Sequence, residues 1–105
     1  MAEISEALIA SLQHIEPATS VEESLARLLK IHAEEKRRKY QELAEGYRQR
    51  YGIDVETFHT TRIASRDHSW EEEEAYFDWV TALQMVAEME EEIVCLEEIL
   101  SRAAR

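Results

Sequence analysis

A chain of 105 residues, 45% apolar and 33% charged, is sized for one domain and has enough apolar side chains to bury a core. With only two Gly and one Pro it cannot be a turn-rich all-β fold, and long uninterrupted helices are favoured. Twenty-three acids against twelve bases give a formal charge of −11, which repels nucleic-acid phosphates and makes basic protein surfaces the expected partners.

The single cysteine, Cys95, cannot close an intrachain disulfide, as suits a reducing cytoplasm. The N-terminus lacks a basic stretch followed by an apolar run, so no signal peptide is expected. No apolar stretch approaches the ~20 residues of a membrane span. The expectation is a cytoplasmic protein with no membrane and no nucleic-acid partner.

Ile4, Leu8, Leu12 and Ile15 recur at three and four residues and predict a short amphipathic helix over 3–15. Pro17 ends it by pushing the preceding residue out of the α region. Ser20 and Glu23 have the capping-box spacing and start a second helix over 21–51, which Gly52 stops as a left-handed C′ residue. Its apolar stripe reads Val21, Leu25, Leu28, Leu29, Tyr40, Leu43 and Tyr47, with His32 and Lys36 falling inside it at 100° per residue. Those two are expected to pack their carbon stems and reach a rim or an acidic neighbour.

Asp54 is a good N-cap, and Ile53 with Phe58 stand at the N′ and N4 positions of a hydrophobic staple, so a short third helix over 55–64 follows. Arg66, Asp67 and His68 form the next bend. Ser69 and Glu72 make a second capping box, and the acids from Glu71 to Glu74 favour the dipole of a helix over 70–102. Along it Ala75, Trp79, Ala82, Val86, Met89, Ile93, Leu96, Leu100 and Ala103 alternate in steps of four and three, a heptad seam. Tyr76, Val80, Leu83, Ala87 and Val94 lie on one flank, Met85 and Ile99 on the other. So much apolar surface predicts contact with two or three helices.

The expected fold is therefore all-α and spans residues 1–105 as a single helical domain. It is a long antiparallel helical hairpin with a short N-terminal helix and a short connecting helix. Helices of about 30 residues are ~45 Å long at 1.5 Å per residue. Helix 1 is too small to cover what they expose, so a helical bundle formed by dimerisation is expected. The seam assigned to the oligomer is Val80, Leu83, Val86, Met89, Ile93, Leu96 and Leu100. Glu90 and Glu97 beside it oppose a parallel self-pairing, since like charges would face each other. The basic run from Lys36 to Lys39 falls beside Gln84 to Glu88 in this alignment and is expected to set helix orientation.

Catalytic chemistry finds little footing. Only Gly46 and Gly52 are available, too few for a phosphate-cradling loop. The paired acids of all-α nucleotide pyrophosphatases need Glu-x-x-Asp, but Tyr51, Ala64 and Ala75 stand three before Asp54, Asp67 and Asp78. Cys95 sits in an apolar stretch far from any His in sequence and reads as structural and buried. Glu56 and His59 have the Glu-x-x-His spacing of di-iron bundles, and His32 with Glu35 has its reverse, but neither repeats on a second long helix. A ferritin-like metal-binding bundle built by oligomerisation is the alternative reading. Its ligands would come from His32, Glu35, Glu56, His59 and His68, with Glu71 nearby. The leading reading needs no cofactor, metal or catalytic residue.

The stretch Arg50-Tyr-Gly-Ile-Asp-Val-Glu-Thr-Phe58 is followed by Ser69, Trp70, Glu71, Glu73, Tyr76, Trp79 and Ala82. Over residues 47–82 this pattern resembles a group of short uncharacterised prokaryotic helical proteins, similar to antitoxin-like partners of small candidate toxins. The resemblance implies a helical fold and an antitoxin-like partnership, and it brings no catalytic residue. The N-terminal helix and the run from Lys36 to Lys39 lie outside it. The resulting expectation is a non-enzymatic protein-protein interaction module, an acidic helical protein binding itself or a small basic protein. Trp70, Tyr76, Phe77 and Trp79 are the candidate anchors, and Phe77 is the best docking candidate because it points away from the seam.

Overall fold

The computed structural model describes residues 4–65 and 67–104, and every regular element among them is helical. These are α1 (Glu6–Ile15), α2 (Val21–Tyr51), α3 (Val55–Phe58), a wide π-helical turn (His59–Ile63) and α4 (Trp70–Ala103). None is long and apolar enough to cross a membrane. Residue 3 and Arg66, assigned by sequence to the first helix and to the bend, lie outside the described residues.

Local capping accounts for each boundary. Ser5 Oγ accepts the Leu8 amide at 3.2 Å, which sets the first turn of α1 at Glu6, later than the apolar stripe alone suggests. At α2, Ser20 Oγ accepts the Glu23 amide at 3.1 Å, but the reciprocal half of the expected box is not made. The Glu23 carboxylate instead takes the amide of Thr19 at 3.2 Å, the Thr19 hydroxyl, and Arg27 at 2.8 Å. Glu23 is buried, and an ionised carboxylate there needs more than the single donor a box supplies. Gly52 has φ +71° and donates its amide to Arg48 O at 2.8 Å, the left-handed stop read from the sequence.

Asp54 Oδ1 accepts the Thr57 amide at 2.7 Å, and Ile53 packs against the cluster that holds Phe58, completing the staple. Beyond Phe58 the expected α-helix widens. Thr61 and Thr60 donate their hydroxyls to Thr57 O at 2.6 and 3.2 Å, competing for the carbonyl that an α-helical amide would use. The Ala64 amide then reaches back five residues to His59 O at 2.9 Å. At α4 the box is complete: Ser69 Oγ accepts the Glu72 amide and Glu72 Oε1 accepts the Ser69 amide, both at 3.1 Å.

The chain divides into two compact units that share the long helices. The second runs from Lys36 to Met89, and its core is Ala44, Phe58, Trp79 and Ala82, with Tyr40, Tyr47, Tyr51, Ile53 and Tyr76 packed around them. Tyr51 and Phe58 rings are 4.4 Å apart, Phe58 and Trp79 5.7 Å, and Tyr47 and Trp79 6.0 Å. Fully burying Phe58 contributes roughly 1.5–3 kcal/mol. The first unit takes in α1, α2 as far as Glu35, and α4 from Glu90. Leu12, Ala26, Ala33, Ile93 and Leu96 are buried in it, and Lys30 Nζ lies 3.9 Å from Glu97.

The inward face of α2 differs from the stripe of large apolar residues. Glu23, Ala26, Lys30 and Ala33 in the first unit, then Arg37, Tyr40, Ala44, Tyr47 and Tyr51 in the second, alternate in steps of three and four and are all buried or half-buried. His32 and Lys36 are exposed, so they do not interrupt a buried stripe, and Leu25, Leu29 and Leu43 are exposed as well. Alanine at the centre of a helix contact allows close approach, which moves the bulkier leucines to the edges. On α1 only Leu12 is buried, while Ile4, Leu8 and Ile15 are exposed. On α4 the expected seam is the inward face, except that Ala103 is exposed.

Candidate functional site

The four candidate anchors separate into two pairs. Trp79 is 2% exposed, stacked with Tyr47 and Tyr51 and tilted against Phe58, so it serves the core of its unit. Tyr76 is half-buried, with its ring 5.1 Å from that of His59. Trp70 is 74% exposed and Phe77 59% exposed, and the Phe77 ring touches only Tyr76 among the aromatics, at 5.8 Å. Seven residues apart on one helix, Trp70 and Phe77 share a face, since seven residues are nearly two turns.

That face is acidic. Helix α4 holds eleven carboxylates against the single Arg102, a net −10, so it carries nearly all of the chain's excess charge. Helix α2, with six acids and eight bases, is net +2. Around Trp70 and Phe77 stand Glu71, Glu73, Glu74 and Asp78. Glu72 is held below its ordinary pKa by the Ser69 amide, with Arg62 3.3 Å away. Asp54 is lowered by the Thr57 amide in the same way. Tyr47 donates its hydroxyl to Asp78 Oδ2 at 3.3 Å, and its pKa is raised first by burial and then by that negative neighbour.

His68 is bonded through Nδ1 to Ser65 O at 2.6 Å and through Nε2 to Glu73 at 3.3 Å, and its pKa is raised, chiefly by the Ser65 carbonyl. The other metal-ligand candidates are spread out. The His59 ring is tilted against that of Tyr76, 5.1 Å away, and His32 and Glu35 are exposed. Among the described residues no three His, Cys, Asp or Glu side chains converge as a metal site would require. Cys95 is exposed, not buried as its apolar neighbours suggested, because it falls two residues past Ile93 on the opposite side of α4.

The residues assigned to an oligomer seam also divide. Ile93 and Leu96 are buried within their own unit, and Val86, Met89 and Leu100 are half-buried. Val80 and Leu83 are 36% and 40% exposed, and the flank residue Val94 is 58% exposed. Apart from Trp70 and Phe77, the uncovered apolar surface of α4 therefore lies on the flank beside the seam. An open groove of about 510 Å³ in the second unit, with Trp79 and Val86 on its floor and Leu83 at its edge, was not foreseen from the sequence. Its other lining residues include Gln41, Ala44 and Arg48 on α2 and Val55 on α3. Comparison with family models, characterised proteins and solved structures finds no match to this chain.

Proposed function

We propose that this chain is a non-enzymatic protein-protein interaction module, an acidic cytoplasmic helical protein that binds a small basic protein in an antitoxin-like role. In this reading α2 and α4 form a long antiparallel hairpin, and two copies associate into a helical bundle. The observation that carries the reading is the exposure of Trp70 and Phe77 on the helix that holds nearly all the excess negative charge. Large exposed aromatics supply the buried anchors that dominate interface energies, while surrounding carboxylates speed encounter with a basic target. Trp79 and Tyr76 hold the surface in place from behind.

The test is co-expression with the protein encoded beside this chain, followed by affinity purification. Trp70→Ala/Phe77→Ala should keep the helical circular dichroism of the wild type and lose at least tenfold in affinity for the co-purified basic protein. Retention of full affinity in that variant would remove this face from the interface.

A further inference from the structure

The first unit has a groove that its own helices leave open. On α2, Glu22, Leu25 and Leu29 fall within about 60° of one another at 3.6 residues per turn, and on α4 Cys95, Ile99 and Arg102 do the same. All of these but Cys95 line an open groove of about 550 Å³, with the buried Ala26 and Leu96 as its floor. Leu25 is 38% exposed and Leu29 55%. Glu22 stands on the α2 wall and Arg102 on the α4 wall; both are exposed, and neither makes an ion pair among the described residues. With the helices antiparallel, these two charges mark one end of the groove. Equal steps in opposite directions from that end bring Leu25 level with Ile99, then Leu29 level with Cys95.

We infer that the occupant of this groove is a second copy of this chain, related by a two-fold axis parallel to α2 and α4. Such a rotation keeps every residue at its height along the helices and lays α2 of each copy on α4 of the other. Glu22 then meets Arg102, Leu25 meets Ile99 and Leu29 meets Cys95. Each contact forms twice and the assembly closes. Charge complementarity selects this occupant, because a groove with an acid on one wall and a base level with it on the other is complementary to its own copy. Charge also selects the direction. The end-for-end pairing would lay α4 on α4, whose stretch from Glu90 to Ala103 holds five acids and one base. The inference rests on the homo-oligomer part of the function proposed above. Trp70 and Phe77 belong to the second unit and take no part in the contact.

The test uses charge-reversed variants of the full chain, Glu22→Arg and Arg102→Glu, each checked for helicity by circular dichroism. In sedimentation equilibrium at micromolar concentration the wild type should have twice the 12.3 kDa chain mass. Each variant alone sets like charges together at both contacts and should raise the dimer dissociation constant at least roughly tenfold. An equimolar mixture of the two, and the double variant Glu22→Arg/Arg102→Glu, should return to the wild-type affinity, because every acid again meets a base. On mild oxidation Leu29→Cys should give a disulfide-linked band of twice the chain mass through Cys95 of the other copy, and the band should vanish in Leu29→Cys/Cys95→Ser. Single variants that dimerise like the wild type, a mixture that stays weak, absence of the Leu29→Cys band, or a Cys95-linked band from the wild type would each overturn the inference and leave the homo-oligomer reading standing. A monomeric wild type would overturn both. Binding of the basic partner is read separately, through Trp70→Ala/Phe77→Ala.

Discussion

Phe77 and Trp79 stand two residues apart on the same helix and should respond to truncation in opposite ways. Trp79 is 2% exposed, so Trp79→Ala removes most of the ~150–250 Å² that an aromatic side chain buries, and at about 25 cal/mol per Å² the transfer loss is ~4–6 kcal/mol. Partial relaxation of the surroundings brings the usual cost of such a truncation to about 3–5 kcal/mol. Tyr47, Tyr51 and Phe58 all lose a ring contact at once, which places the change toward the upper end. Phe77 is 59% exposed, so roughly 80 Å² is shielded, at most ~2 kcal/mol, and much of that shielding comes from its own helical turn. Alanine also gains about half a kcal/mol in helix propensity over phenylalanine. Phe77→Ala should therefore cost about 1 kcal/mol or less. Urea titration followed by far-ultraviolet circular dichroism separates the two, with the Trp79→Ala midpoint lower by roughly 2 M at an m-value of about 1–3 kcal/mol/M. Equal midpoints for the two variants would refute the assignment of Trp79 to the core and Phe77 to the surface.

Two further substitutions test local chemistry. Ser24 is fully buried and its hydroxyl has no hydrogen-bond partner, so Ser24→Ala removes an unsatisfied group worth about 1–3 kcal/mol and should raise Tm by several degrees in a thermal melt; a lower Tm would mean that the hydroxyl is satisfied. His68 has a raised pKa in the folded chain because its protonated form is held by Ser65 O and Glu73. Its contribution to stability is therefore fully present below the unfolded pKa of about 6.5 and fades as pH rises through the higher folded value. A proton titration of the His68 ring by NMR should give a pKa above that of a free imidazole, and His68→Gln should flatten the pH dependence of stability in that range. A value at or below that of free imidazole would refute the bridge.

Much of the fold was legible because its boundaries are set by local chemistry. Asp54, Gly52 and the Ser69–Glu72 pair act within four residues of themselves, and each was assigned from spacing alone. The seam of α4 was equally readable, since Trp79, Ala82, Ile93 and Leu96 are both apolar and inward. The face of α2 was not, because apolar size and inward position part company there. Leucines 25, 29 and 43 outrank alanines 26, 33 and 44 on any hydrophobicity scale, yet the alanines are the buried ones. Both sets run at helical period, so period alone cannot choose between them. The choice comes from the partner surface, where the large side chains of α4, led by Trp79 in the second unit and by Ile93 and Leu96 in the first, fill the space that alanine leaves.

That same exchange of large for small explains why the candidate interface was only half visible. Pairing alanines on α2 with large residues on α4 uses the best apolar seam of α4 inside the chain, which removes Trp79, Ile93 and Leu96 from any interface. What remains outside includes Leu25, Leu29 and Leu43 on α2, and on α4 Val80, Leu83 and Val94 on the flank together with Trp70 and Phe77 on the acidic face. Exposed leucines on one helix and exposed valine and leucine on another are individually ordinary. With α4 at net −10 and α2 at net +2, the local attraction between unlike helices is stronger than the overall charge of −11 suggests, since screening over about 10 Å at 0.1 M salt leaves the nearest charges to decide.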